Sequence, residues 1–405
     1  MVAERHLSAC DDPDVGDGAR PQLPREVRVL AVVAFVVALG FGIVAPAIPI
    51  YVRSFGVGGT AVGLAVSSFA FFRFVSAFGG GALVERFGER VVLTAGLVVV
   101  AVTTGAAGLV DHFPAFLALR SAGGVGSAMF TVAALSLLLR VAPAEHRGRS
   151  AATFQGGFIL GGIAGPAAGG LLAALSPRLP FLLYAAFLLL AGAVGLVLLR
   201  TPATQTATPD TPQSAPPLPL AAALRNRAYV AALVVNFGVG WMLFGVRNSL
   251  VPLYVTEDLG RTVAWAGAGL LVGSVAQAVG LLRSGRLVDG WGRRPSLVVG
   301  SALATGSVAL LVGPPSTPVF LVSMAVFGLG ASLLASAPAA LVADVSPARG
   351  GRVVAVFQMA SDLGGILGPL AAGALTDAVD YQLAFGVTAA VLAAGLVAAL
   401  LLPRR

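Results

Sequence analysis

The chain has 405 residues, of which 57% are hydrophobic and 11% charged, where soluble domains carry roughly 25% charged residues. So much apolar side chain excludes an ordinary soluble fold, and backbone groups in lipid must be paired inside helices or a closed barrel. The net charge of +8 arises from 26 basic residues, every one an arginine, against 18 acids.

Residues 1–26 hold Glu4, Asp11, Asp12, Asp14, Asp17 and Glu26, which suits a solvated cytoplasmic tail without a packed core. They are not expected to form a signal peptide, because the first apolar run is span-length and begins only near Val27. Continuous rather than alternating apolar runs then predict twelve helical spans, at 27–52, 60–83, 91–110, 114–139, 150–175, 180–199, 228–255, 263–283, 296–313, 318–343, 353–376 and 383–402. Between the sixth and seventh lies a stretch rich in Pro and Thr, Thr201 to Pro219, that cannot pack. The expected organisation is therefore a tail (1–26), a six-helix bundle (27–200), a cytoplasmic linker (201–227), a second six-helix bundle (228–402) and a short tail (403–405).

Arginine placement orients these spans, since cytoplasmic loops collect basic residues. Arg53, Arg178 and Arg261 fall on the predicted outer side, and Arg73, Arg120 and Arg247 fall within spans. The others gather in the termini and around Arg86, Arg147, Arg225, Arg293 and Arg349, which puts both termini in the cytoplasm. Topology thus accounts for the basicity without nucleic acid, and contact with anionic headgroups of membrane lipids is a by-product. Cys10 is the single cysteine, so no disulfide can form within the chain. A composition rich in Arg, Ala and Gly suggests a bacterium with a GC-rich genome, and the expected location is its plasma membrane.

The chain repeats itself. Gly81 to Leu93, GALVERFGERVVL, returns as GRLVDGWGRRPSL from Gly285 to Leu297. Phe154-Gln155 returns as Phe357-Gln358, Gly165-Pro166 as Gly368-Pro369, Arg149 as Arg352, and Pro49-Ile50-Tyr51 as Pro252-Leu253-Tyr254. Halves repeated in the same orientation are related by an axis along the membrane normal, with the working site expected between them near the midplane.

These repeats resemble the major facilitator superfamily, and within it the twelve-helix drug:proton antiporter branch. The loop signature G-x-L-x-D-R-x-G-R-R is matched at Gly285, Leu287, Asp289, Gly292, Arg293 and Arg294, while the first copy keeps Gly81, Leu83, Arg86, Gly88 and Arg90. That copy departs at Glu85 and Glu89, where the family has aspartate and arginine. Carboxylates and arginines at helix ends can latch a face shut through charge pairs and helix dipoles, so Glu85, Arg86, Arg90, Asp289, Arg293 and Arg294 are expected to form a cytoplasmic gate. Topology charges alone are the alternative. Gly161, Gly165, Pro166, Gly169 and Gly170 match the family's antiporter signature in the fifth span, and equally suit a packing seam of small residues. Leu39 to Pro49 resembles the family's first helix, and Arg120, Gly124 and Gly126 its fourth-helix signature. The resemblance implies proton transfer at Arg120; pinning backbone carbonyls is the other role open to it.

Ionisable groups within spans are unfavourable by at least roughly 2.5–3.5 kcal/mol each, so they need a partner or a purpose. Among the acids only Asp362 lies deep in a span, about 15 Å beyond Arg352 at a rise of 1.5 Å per residue. Family architecture sets the second and eleventh helices side by side, which makes Arg73 its counter-charge, either for proton coupling or as a structural ion pair. Gln155, Asn236, Arg247, Asn248, Gln277 and Gln358 are expected to line a substrate cavity, or else to bond between helices. Three buried arginines against one aspartate favour neutral or anionic hydrophobic small molecules.

The expected fold is thus an all-α membrane protein of two six-helix bundles related by pseudo-two-fold symmetry. Its expected function is proton-coupled efflux by alternating access, with a small-molecule substrate, protons and lipids as partners, and the chain acting as a monomer. An importer or uniporter of a small metabolite, or a nontransporting sensor on the same scaffold, are the alternatives. An enzyme is not expected: no lysine is present for a P-loop, no G-x-S-x-G elbow occurs, and His6, His112 and His146 lack metal-ligand spacing. No cofactor or metal is expected.

Overall fold

A computed structural model describes residues 23–142, 147–199, 220–345 and 351–403. Twelve helices in it are long and apolar enough to cross a membrane. In chain order we name them α1 (Arg25–Arg53), α2 (Gly59–Phe87), α3 (Glu89–Ala107), α4 (Phe113–Val141), α5 (Arg147–Leu175), α6 (Leu179–Leu198), α7 (Arg227–Asp258), α8 (Val263–Trp291), α9 (Arg293–Val312), α10 (Thr317–Val342), α11 (Gly351–Ala378) and α12 (Tyr381–Leu400). An even number of spans returns the chain to the face from which it started. We call that the terminal face and its opposite the far face.

Local chemistry sets the helix ends. α2 stops and α3 starts at Gly88, whose φ of +79° suits a residue without Cβ, and α8 and α9 divide at Gly292 with φ +94°. These two glycines are the same position of the repeated loop. Asn226 and Asp380 cap α7 and α12, accepting from Ala228 N at 2.9 Å and Leu383 N at 2.7 Å. α7 differs from the plain helix its sequence predicts, because Trp241–Leu250 and Tyr254–Asp258 are π-helical. The first of these wide-turn runs ends one residue before the segment holding Pro252, which has no N–H to donate.

One apolar core joins α1 to α6, around Leu30, Leu93, Phe116, Leu137 and Phe181, and a second joins α7 to α12, around Tyr229, Leu297, Phe320 and Phe385. Within the first bundle the tightest seam is α1 on α5. A Cβ at Gly42 would lie 2.9 Å from the Gly165 Cα, so backbones meet with no room for side chains.

Between the bundles, α2 packs on α11 and α5 on α8, both toward the far face. Ser67 Oγ donates to the Ile366 carbonyl at 2.5 Å, and Gly63 abuts the backbone of Pro369. A Cβ at Gly170 would lie 2.8 Å from the Gly267 Cα. Toward the terminal face the same helix surfaces are uncovered, with Phe78 exposed at 72%, Leu282 at 80% and Leu363 at 49%. The bundles therefore touch in their far halves and part in their terminal halves, leaving a cleft that opens on the terminal face.

Candidate functional site: the apex of the interbundle cleft

Asp362 lies one helical turn from Ile366 on the terminal side, immediately past the α2–α11 contact. It is half-buried, as is Arg73 on α2. Arg73 is the charged side chain that acts on Asp362 electrostatically, yet the two form no hydrogen bond or ion pair within 4.0 Å among the described residues. The sequence pairing thus brings the two charges into one region without locking them together. A carboxylate so placed can bind and release a proton without first breaking a salt bridge.

Arg247 stands in the first π-helical run, where α7 also contacts α2 and the end of α1. Its guanidinium donates to Ser274 Oγ on α8. Asn248 beside it and Gln277 on α8 are half-buried, and Gln155 and Gln358 are exposed on the terminal halves of α5 and α11. None of these four side chains makes a hydrogen bond among the described residues. Asn236 differs: it is buried, and its Nδ2 donates to the Phe357 carbonyl at 2.7 Å, tying α7 to α11. That bond is interhelical, and it makes Asn236 a structural side chain in this conformation.

Arg120 is 4% exposed inside the first bundle. Among the described residues it pins no carbonyl and its Nε has no acceptor; its guanidinium carbon lies 4.4 Å over the ring of Phe69. An aromatic face offers partial negative charge to a cation that has no carboxylate.

The antiporter-signature residues divide into two groups. Gly161, Gly165 and Gly169 seat α5 on the α1 backbone at Leu39, Gly42 and Ile43, whereas Gly170 meets Gly267 of the other bundle near the Pro166 carbonyl. The second copy divides likewise, Gly364 and Gly368 resting on α7 and Gly373 against Gly59 across the interface.

On the terminal face the expected gate residues bond within their own bundles. Arg90 donates to the Leu196 carbonyl, and Arg294, its repeat partner, to the Leu400 carbonyl at 2.9 Å. Arg293 pairs with Asp344 at 3.1 Å, and Arg86 lies 5.3 Å from the Phe87 ring centroid. Glu85 has no ion pair among the described residues, and the side chain of Asp289 lies outside them. Glu89 pairs with Arg140 and is 2% exposed. The sequence marked Glu89 only as a departure from a motif; burial of a carboxylate at the first turn of α3 is the physical reason for the difference.

The far face carries a set of cross-bundle bonds that sequence reading missed. Arg53 Nη2 pairs with Glu257 Oε2 at 2.6 Å while its Nε donates to Oε1 at 2.7 Å, and Tyr381 donates to the same carboxylate. Asp377 accepts from Gly59 N at 2.5 Å, and from Thr60 N and Thr60 Oγ1 at 2.7 Å each. The signal available in the sequence was only that Arg53, Glu257 and Asp377 all stand at span ends on one side.

Two repeated six-helix bundles, sealed at one face and parted at the other around a charged apex, define a membrane transporter of the alternating-access architecture. The chain belongs to the Major Facilitator Superfamily, whose description matches residues 30–273 and 240–405. It is 25% identical over 384 residues to the quinolone resistance protein NorA of Staphylococcus aureus strain MRSA252, covering 90% of this chain and 94% of that one. It is 26% identical over 376 residues to multidrug resistance protein 1 of Bacillus subtilis strain 168, covering 91% and 94%. Among solved structures, an inward-facing, unoccupied bacterial homolog of the human lysosomal transporter Spinster superposes with a TM-score of 0.72 at 17% identity, covering 93% of each chain. The nucleoside transporter NupG does so with a TM-score of 0.70 at 15% identity, covering 93% of this chain and 98% of that one. The protein is thus a multi-pass membrane transporter of small molecules.

Proposed function

We propose that this chain is a monomeric proton-coupled exporter of hydrophobic, neutral or anionic small molecules in a bacterial plasma membrane, with both termini in the cytoplasm. The terminal face is then the cytoplasmic one, and the cleft described above is the inward-open state. Resistance to quinolones and to multiple drugs, named for the two bacterial relatives, supports export of drug-like compounds here.

The observation that carries this reading is Asp362, a half-buried carboxylate at the cleft apex with Arg73 near but not bonded. Protonation removes its charge and the attraction to Arg73, and lets the two bundles rock. Glu85, Arg86, Arg90, Asp289, Arg293 and Arg294 would close the cytoplasmic face in the opposite state, exchanging their bonds within each bundle for bonds across it. Gln155, Gln277, Gln358 and Asn248 would contact substrate, Asn236 would support them, and Arg120 would act from within the first bundle through Phe69.

The test is Asp362→Asn in proteoliposomes carrying an imposed proton gradient. Gradient-driven efflux is expected to disappear while the purified variant keeps its elution profile and helical content. Efflux at the parent rate would refute the assignment.

A further inference from the structure

Arg247 has no ion pair within 4.0 Å among the described residues, although its segment is surrounded by both bundles. Asp362, the carboxylate deepest in a span, has Arg73 as its charged neighbour. A guanidinium cannot give up its proton, and a charge held at membrane depth calls for a counter-charge. The protein supplies Arg247 with a hydroxyl instead, Ser274 Oγ, which accepts from the guanidinium and keeps its own O–H to donate.

Placement gives this pair its use. Ser274 is two helical turns from Gly267, the residue at which α8 meets α5, so it continues the face of α8 turned toward the other bundle. Arg247, itself half-buried, therefore bonds a residue of α8 that is 1% exposed, just past the α5–α8 seal, as Asp362 lies just past the α2–α11 seal. Its π-helical backbone, with a wider turn than an α-helix, is of the kind frequently found at functional positions. Apolar walls continue from the apex toward the terminal face, with Phe74 and Phe78 of α2 in edge contact at 5.5 Å between ring centroids.

We infer that Arg247 and Ser274 form an anion subsite, and that the preferred substrates carry a carboxylate or similar acidic oxygen group on an aromatic or aliphatic body. The forked guanidinium matches two carboxylate oxygens, and the serine hydroxyl adds a third donor. This rests on the export reading above and sharpens its substrate class.

The experiment compares a matched pair of probes, nalidixic acid and its ethyl ester, on the full-length protein. Affinities are read from quenching of its tryptophans in detergent, and flux from proteoliposomes under a proton gradient. The parent protein is expected to bind the acid more tightly than the ester. Arg247→Gln should weaken the acid about tenfold or more while moving the ester less than about twofold, as loss of a charged hydrogen-bonding partner predicts. Arg247→Lys should recover part of the acid affinity, and Ser274→Ala should weaken the acid selectively and by less. Equal losses for acid and ester in Arg247→Gln, or a parent protein with no preference for the acid, would overturn the subsite. Proton-driven flux of the ester without any acid preference would do so while leaving the export reading intact. Absence of gradient-driven flux of either probe, with the acid preference in binding retained, would instead overturn export and leave the subsite standing.

Discussion

Removing one carboxylate should unseal the far face. α2 begins after Gly58, which has no side chain to satisfy the free N–H groups of the first turn. The other bundle satisfies them through Asp377, which accepts from Gly59 N and from both donors of Thr60. All three bonds are lost when the bundles part on that face. Loss of a helix cap costs about 1–2 kcal/mol, so Asp377→Ala should move the closed-to-open ratio roughly 5- to 30-fold. From a 1:99 open-to-closed start, the upper value would leave about a quarter of the molecules open. Leu109 and Val312, exposed at 58% and 41%, stand near the far face where α3 and α9 end. Spin labels at cysteines placed there, in a Cys10→Ser background, would read the separation by electron–electron double resonance. A new long-distance population in Asp377→Ala is expected. A distribution that superposes on the parent's would refute the reasoning.

Three further outcomes follow from named contacts. Gly170→Leu places a side chain against the Gly267 backbone, so it should block far-face closure and abolish transport; Gly162→Ala, with nothing within 4 Å of an added Cβ, should transport normally. Arg140→Ala strands the buried Glu89 carboxylate and should destabilise the protein by about 1–3 kcal/mol, seen as a lower melting temperature in detergent; adding Glu89→Gln should restore part of the loss, and strictly additive effects would deny the pair. Phe69→Leu removes the ring under Arg120 and should lower stability by about 1–2 kcal/mol, with an unchanged thermal midpoint as the contrary result.

The span pattern was legible because lipid imposes a single rule on every residue of a crossing helix, and the repeat was legible because one offset joins Pro49 to Pro252, Phe154 to Phe357 and Pro166 to Pro369. Asp362 could be found for the same reason: a lone acid in an apolar run has no bland explanation in composition. Partners were far less legible. Periodicity gives the face of a helix that a residue occupies but not what stands opposite, so Glu89 could not be joined to Arg140, nor Asp377 to a turn 317 residues away. Arg53 read as a topology charge because charge at a span end is ordinary. Asn236 shows the reverse difficulty, since its amide suits a cavity wall or a helix tie equally, and only the Phe357 carbonyl decides between them. The π-helical run has no sequence signature, because the same residues serve i→i+4 and i→i+5 ladders.

The Asp377 contact also bears on how the chain is made. The amides at Gly59 and Thr60 leave the ribosome hundreds of residues before the carboxylate that completes their helix. Until the eleventh span has been inserted, the opening turn of the second must rely on water or headgroups at the bilayer surface. Biogenesis therefore ends with a closing step at which the last quarter of the polypeptide finishes a helix begun in the first, and a truncated product would carry that turn frayed.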